Sequence, residues 1–379
     1  MELIFPDYYK EFQCIADRCE DTCCAGWEIV IDPVSERKYK QVKGTFRNRL
    51  ENSITRDKDG DLVFEMVDGR CTFLNEKNLC DIYSEIGKQY LCKTCRRYPR
   101  HVEEFEDLRE ISLSMSCPEA ARIILRQKGK VRQIRKTIER APEEYEDFDY
   151  FLFTKLLESR EAMIGILQNR TIEIKVRMKM VLALAHDLQT RIQRGALFEI
   201  DGLLERYTRK RASDRFKKRL EKIEKTDSVR SMQEYFGLFD ELEMIQESYH
   251  KWLKQVELKL KNQTEEKWEE ENSAFEQVLG KKLSIWLEQV MVYFISTYYC
   301  GAVYDERAFS KVKLAYLSTF FIKELAKKRK GDFEQMEQIF CEEAYRYCRE
   351  VEHSSVNLNR MEKAFREKAF SLEKLMCLE

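Results

Sequence analysis

Proline is scarce in this chain, and its distribution is uneven. There are five prolines, Pro6, Pro33, Pro99, Pro118 and Pro142, and none follows Pro142. A proline inside a helix costs about 3 kcal/mol, so the long proline-free remainder is open to helices. A long apolar run is also missing. The longest, Val290 to Tyr304 (VMVYFISTYYCGAVY), is broken by Ser, Thr and Tyr and falls short of the ~20 residues a membrane-spanning helix needs. It reads as a buried helix. The start, MELIFPDYYK, has no basic segment followed by an apolar one, so no targeting segment is expected. Charge bias is absent too: 67 Lys and Arg stand against 68 Asp and Glu. That balance argues against nucleic acid or an anionic membrane as partner. G-x-G-x-x-G, Walker A, HExxH, GxSxG and the radical CxxxCxxC pattern are all missing, which excludes the folds built around them.

Cysteine, by contrast, is plentiful and concentrated. Nine of the 13 lie before residue 118: Cys14, Cys19, Cys23, Cys24, Cys71, Cys80, Cys92, Cys95 and Cys117. The others are Cys300, Cys341, Cys348 and Cys377. With no secretion signal the expected compartment is the reducing cytoplasm, where dense thiols point to a metal site rather than a disulfide framework. The spacings are C-x4-C-x3-CC, C-x8-C and C-x2-C, followed by Cys117-Pro118. Thiolates hold zinc or iron–sulfur clusters. The pattern lacks the paired CxxC knuckles of structural zinc, which favours a cluster, with zinc as the alternative. Neighbouring side chains are expected to diverge, so Cys23 and Cys24 are not expected side by side on one zinc.

Hydrophobic residues make up 43% of the chain, enough for a substantial core. The expected fold is mainly α, with a small Cys-rich α+β metal-binding module packed on an all-helical C-terminal body. The module is assigned to residues 1–125 and the body to 126–379. Alternating segments at Trp27–Ile31, Leu62–Val67 and Ile111–Met115 predict strands. Apolar stripes of helical period run through 148–169, 172–194, 232–260, 273–298, 307–328, 333–351 and 358–376. Asn357 is a candidate N-cap for the last of these. Breaks are expected at Gly195, Gly301 and Gly331.

Several stretches carry a resemblance. These are Asp21-Thr22-Cys23-Cys24-Ala25-Gly26-Trp27, Arg70-Cys71-Thr72-Phe73-Leu74, Cys80-Asp81-Ile82-Tyr83, Thr94-Cys95-Arg96-Arg97-Tyr98-Pro99-Arg100 and Ser116-Cys117-Pro118-Glu119. Together they resemble the FliB family of flagellin lysine-N-methylases. The shorter cysteine pattern is shared with a wider group of zinc- or iron-chelating proteins. Glu352-His353-Ser354-Ser355-Val356-Asn357-Leu358-Asn359 resembles that family's C-terminal signature. The resemblance covers about residues 5–125 and 345–360. It implies methyl transfer from S-adenosylmethionine (SAM) to flagellin lysines, and a cluster, expected as 4Fe–4S, on Cys14, Cys19, Cys23, Cys24, Cys71, Cys80, Cys95 and Cys117. Cys92 is set apart as a spare thiol.

Other candidates have a bland reading beside the functional one. Arg96, Arg97 and Arg100, with Asn357, are assigned to SAM binding; the arginines could equally form a solvated basic turn. His353 and Glu352 are the candidate catalytic pair, or else polar groups satisfying a helix–helix turn. Trp286, Tyr293, Phe294, Tyr298, Tyr299 and Tyr304 could cage a cation or simply be helix core. The basic run Arg209–Arg219 is a docking patch or a solvated helix face. His186 and His250 read as ordinary helix residues. The rival function is a non-enzymatic metal-binding or redox-sensing protein whose helical body docks a partner.

Overall fold

The structure is a computed structural model that describes residues 1–142, 145–223, 228–329 and 331–378. The chain opens with strand β1 (Glu2–Pro6). Helices α1 (Pro33–Tyr39) and α2 (Thr45–Asn52) follow, then the short strands β2 (Ile54–Arg56), β3 (Leu62–Phe64), β4 (Met66–Val67) and β5 (Arg70–Cys71). Next come α3 (Lys93–Arg97), the hairpin β6 (Arg100–Phe105) and β7 (Leu108–Leu113), α4 (Pro118–Leu125) and β8 (Gln133–Thr137). The remaining elements are helices: α5 (Tyr150–Leu167), α6 (Ile174–Gln193), α7 (Ile200–Thr208), α8 (Ala212–Leu220), α9 (Ser228–Phe236), α10 (Glu247–Lys261), α11 (Glu265–Leu279), α12 (Lys281–Tyr298), α13 (Ala302–Asp305), α14 (Ala308–Lys328), α15 (Phe333–Glu352), α16 (Ser355–Ala364) and α17 (Leu372–Met376). The protein is therefore mainly helical, with its strands gathered toward the N-terminus.

Among the described residues, one strand follows residue 125. β8 pairs antiparallel with β1, Glu2 facing Thr137 and Pro6 facing Gln133. β1 also runs parallel to β7, giving a four-stranded sheet in the order β6-β7-β1-β8. The stretch after residue 125 is thus not all-helical, because β1 has two free edges and a returning segment satisfies the second. The strand expected at Trp27–Ile31 is reduced to single contacts. The Ile31 amide bonds Leu62 O, and Ile29 O accepts from Phe64 N.

The long helices form where the stripes predict them, and their ends show why. Asp149 caps α5 and Asp332 makes a reciprocal capping box with Gln335 at the start of α15. Three stripes break. Gly280, at φ +50°, separates α11 from α12. The 232–260 stripe is interrupted at residues 237–246. The 358–376 stripe splits at an extended Glu367 and restarts where Ser371 caps α17. The cap of α16 is Ser354, whose hydroxyl accepts from the Asn357 amide; Asn357 lies inside the helix. A polar residue three positions upstream took the cap, because capping needs extended backbone at that residue.

There are two apolar cores. The larger runs from Ile4 and Leu113 through α4, α12 and α14 to Leu378. The smaller holds Ile29, Ile31, Tyr39, Val42, Phe46, Leu50, Phe64, Phe73 and Ile82, together with Cys71 and Cys92. The first part of the apolar run 290–304 is interior helix, with Val290, Met291, Phe294 and Ile295 at 0% exposure, while Tyr304 at its end is exposed. No helix of the described residues is long and apolar enough to cross a membrane.

Candidate functional site

The nine early cysteines converge. Cys71, Cys92, Cys24, Cys80 and Cys95 belong to or pack on the smaller core, and the Cys71 amide donates to Cys24 O at 2.8 Å. Cys117 caps α4, and its thiol lies in the electrostatic reach of Cys19 and Cys14. Cys23 feels both Cys14 and Cys117, while Cys95 feels Cys24 and Cys23. Cys23 and Cys24 therefore stand between two groups of thiols. Both lie in a turn, and each thiol acts on the other. That interaction and burial push Cys23 up, and the same interaction holds Cys24 down. Cys92 is fully buried, and its interaction with Cys95 lowers it and raises Cys95. Burial raises Cys71 to about 12 and Cys117 to about 11. The donors are soft thiols in number sufficient for a cluster. As they stand, no three His, Cys, Asp or Glu among the described residues are arranged to hold a single metal ion.

The thiol region meets the helical body through α15. Arg349, 0% exposed, donates to Ser116 O at 2.9 Å and to the carboxylate and main-chain oxygen of Asp21. Its guanidinium lies 4.9 Å from the Trp27 ring. One turn on, His353 stacks on Trp27 at 4.3 Å, with the Tyr98 ring 5.5 Å away. His353 Nε2 lies 2.9 Å from Ser116 Oγ. Burial, helped by Arg349, lowers its pKa to about 4, so the imidazole is neutral at physiological pH.

Glu352 points to the other side of the same strand end. Its carboxylate accepts from Tyr293 at 2.8 Å and 3.0 Å and from Ser114 Oγ at 2.9 Å. The Tyr298 hydroxyl and the Cys348 thiol also interact with it. Burial raises its pKa, against the hydrogen bonds from Tyr293 and Ser114 that act to lower it. The two halves join at Ser114 Oγ and Ser116 Oγ, 2.6 Å apart. Both serines lie in the segment that follows β7. The sequence reading passed over Ser114, Ser116, Trp27 and Arg349 as site residues. Their only signal was that Ser116 and Trp27 fell inside the matched motifs.

The remaining candidates scatter. Arg97 lines an open groove of about 640 Å³ with Asp32, Arg56, Asp61 and Lys93. Arg96 is exposed. Arg100 sits over the Phe12 and Tyr9 rings at 5.4 and 6.0 Å. Asn357, 0% exposed, donates to the Glu243 and Glu350 main-chain oxygens and accepts from the Glu243 amide. It braces the loop before α10. Of the aromatic run, Tyr293 and Tyr298 reach Glu352. Trp286 stacks on Phe340, Tyr299 bonds Ser159, and Tyr304 bonds Glu104 O. α8, which carries most of the basic run, buries no residue. His186 packs edge-on to Phe309.

Fold and site together define a thiol-rich module docked on a helical body, with an imidazole, a carboxylate and aromatic rings at the junction. The comparisons give that class its family. The model described as the FliB lysine N-methylase C-terminal domain matches residues 160–378, more than half of the chain, and the chain belongs to the FliB family. It is 30% identical over 139 residues to lysine-N-methylases of Salmonella typhimurium and Salmonella choleraesuis, covering 35% of this chain and of each relative. It is 31% identical over 126 residues to the flagellar biosynthetic protein FliU of Salmonella muenchen, covering 32% of this chain and 75% of FliU. The match thus spans about a third of the length of the first two relatives. No solved structure matches.

Proposed function

We propose that this protein methylates lysine side chains of flagellin with SAM as methyl donor, in the cytoplasm where its thiols stay reduced. Family membership supports lysine as the acceptor, and the flagellar name of one relative supports flagellin. The observation from this chain that carries the reading is the junction itself. A neutral imidazole, His353, stands on the Trp27 ring and is linked by hydroxyls to the enclosed carboxylate of Glu352.

The chemistry asks for such groups. A lysine side chain has a reference pKa of about 10.4, and only its free amine is a nucleophile, so a base must take a proton. His353 is the base in this reading. Trp27, Tyr98 and the Tyr293–Tyr298 pair are suited to a cationic amine or sulfonium by cation–π attraction. When bound, the donor supplies an electrophilic methyl group. Arg97 is the arginine assigned to its carboxylate, because it lines a groove.

The soft-donor chemistry of the thiols fits an iron–sulfur cluster. The residues that would hold it come from Cys14, Cys19, Cys23, Cys24, Cys71, Cys80, Cys92, Cys95 and Cys117. When bound it supplies a covalent cross-link between these segments and a redox-active centre.

The test is direct. Anaerobically purified protein is incubated with SAM and unmethylated flagellin, and the flagellin is mapped by mass spectrometry. Gains of one methyl mass on lysines are expected, and His353→Gln should lower the rate by about 10²-fold or more. Flagellin that stays unmodified, aerobically and anaerobically, would sink the reading. The interacting thiol pairs Cys23–Cys24 and Cys92–Cys95 would then favour a redox-sensing role.

A further inference from the structure

We infer that His353, Ser116, Ser114 and Glu352 form one proton relay, which carries the proton of the incoming lysine ammonium from the imidazole to the enclosed carboxylate. This inference rests on the lysine-methylation reading above and says where the proton goes.

The links are continuous. His353 Nε2 to Ser116 Oγ is 2.9 Å, Ser116 Oγ to Ser114 Oγ is 2.6 Å, and Ser114 Oγ to Glu352 Oε2 is 2.9 Å. All lie within ordinary hydrogen-bond range. Their polarity follows from counting protons. An ionised carboxylate only accepts, so Ser114 donates to Glu352. A hydroxyl has one proton, so Ser114 must accept from Ser116. Ser116 has then spent its own proton and accepts from His353 Nε2–H. Tyr98 can give Ser116 a second donor at 3.2 Å. With Glu352 ionised, this chain sets the tautomer and leaves Nδ1 of His353 as the basic nitrogen.

The transfer balances. An N–H bond of the lysine ammonium breaks and an Nδ1–H bond forms. The Nε2 proton passes to Ser116, the Ser116 proton to Ser114, and the Ser114 proton to Oε2. Ammonium and carboxylate become amine and carboxylic acid, the imidazole ends uncharged, and the nitrogen lone pair is free for the methyl group. The surroundings suit this role. His353 is held neutral, so it can accept, and the burial that raises the pKa of Glu352 makes it a better proton sink. Tyr293 fixes the carboxylate from one side while accepting the Met115 amide at 3.0 Å.

A purely structural network would satisfy the same polar groups without moving a proton, so the experiment must separate the two. In the full chain, matched for iron content, Ser116→Ala and Ser114→Ala should each lower kcat about 10–100-fold with KM little changed. Ser116→Thr, which keeps the hydroxyl, should recover most of the rate. Flagellin carrying aminoethylcysteine at the target position has a less basic amine and should be far less sensitive to the alanine changes. Nitrogen-15 NMR of the substrate-free chain should show His353 protonated on Nε2, with the preference lost in Ser116→Ala. Equal losses on both amines, or protonation on Nδ1, would overturn the relay. If wild-type protein methylates no lysine, the relay's substrate falls with the parent reading. The tautomer measurement then tells whether the wire itself survives.

Discussion

The smaller core and the helical body use cysteine in opposite ways. In the body, Cys300 and Cys348 are buried at 2% and 0% exposure, and burial pushes Cys300 to about 12 and Cys348 well above its ordinary value. Cys300 is inert apolar filler, and Cys348 is turned toward the Glu352 carboxylate. In the smaller core, Cys71 and Cys92 are just as buried, but each lies within reach of other thiols. The difference follows core size. α12 and α14 bury nearly their whole circumference. The smaller core has strands of two or three residues and helices of eight or fewer. Such elements cannot bury enough apolar area to offset the entropy of ordering them. A region of this kind needs a cross-link, and the clustered thiols are the available one.

The largest effect should come from breaking that cross-link. If metal staples the smaller core, chelation of the anaerobic protein should unfold residues 13–98 and leave the body helical. Alkylation followed by mass spectrometry should show Cys71, Cys80, Cys92 and Cys95 reacting orders of magnitude faster, while Cys300 and Cys348 stay protected. Cys95→Ser should do the same. Simultaneous exposure of all these cysteines would mean one cooperative unit and would erase the contrast between the regions. Unchanged reactivity after chelation would mean that the thiols need no metal.

A smaller effect should follow from cutting the tie between the regions. Arg349 is buried, and its donors all go to Asp21 and Ser116. Arg349→Met keeps volume but strands the Asp21 carboxylate and two main-chain oxygens. Loss of one partner of a buried pair costs about 3–5 kcal/mol. Asp21 keeps 22% side-chain exposure, which places this case at the lower end. Arg349→Lys should recover little, since a point charge cannot replace the forked donor. In urea the variant should unfold in two steps, the smaller core first. A single unchanged transition would show that Arg349 does not couple the regions.

What the sequence made legible also divides between the regions. The helices followed from a 3.6-residue stripe and missing proline, both local properties. Their caps were less legible, because Ser354 and Asn357 are both good N-cap residues and only the backbone angle decides between them. Cysteine clustering announced the thiol site, but the turn that brings Cys23 against Cys24 carries no distinctive spacing. The junction was legible only in halves. Glu352 and His353 stood out by motif, whereas Ser114 and Ser116 act through contacts made more than 230 positions along the chain. No local pattern encodes such a meeting. The intended arginine set failed to gather for a related reason: Arg97 ends α3, while Arg100 begins β6 and is drawn onto aromatic rings.

The subtlest effect should appear in the pH dependence of stability, where two residues of the same segment oppose one another. His353 is lowered to about 4 by burial and Arg349. Between that value and the ordinary 6.5 the unfolded chain binds the proton and the folded chain does not. This stabilisation is therefore full above pH 6.5 and is lost as pH falls toward 4. Glu350 is raised to about 7 by burial, against two amide bonds from Ile245 and Gln246 that act to lower it. Here the folded chain binds more protons between 4.5 and 7, so stability is full below 4.5 and is lost as pH rises through 7. Over pH 4.5–6.5 the two slopes oppose one another. Asp21, Glu343 and Glu352 are raised as well, and they form a falling background common to every variant. Glu350→Gln removes one falling slope, so its urea midpoint should climb relative to wild type from pH 4.5 to 6.5. His353→Gln removes the rising slope, so its midpoint should fall relative to wild type over the same interval. One pKa unit corresponds to about 1.4 kcal/mol, and with solvent screening of the partly exposed His353 the two variants should diverge by roughly 1–2 kcal/mol. Glutamine can accept only one of the two amides that Glu350 now accepts, which lowers stability at every pH and leaves the slope untouched. Parallel pH curves for the two variants would show that neither group titrates differently on folding. The junction would then be held by its hydrogen bonds alone.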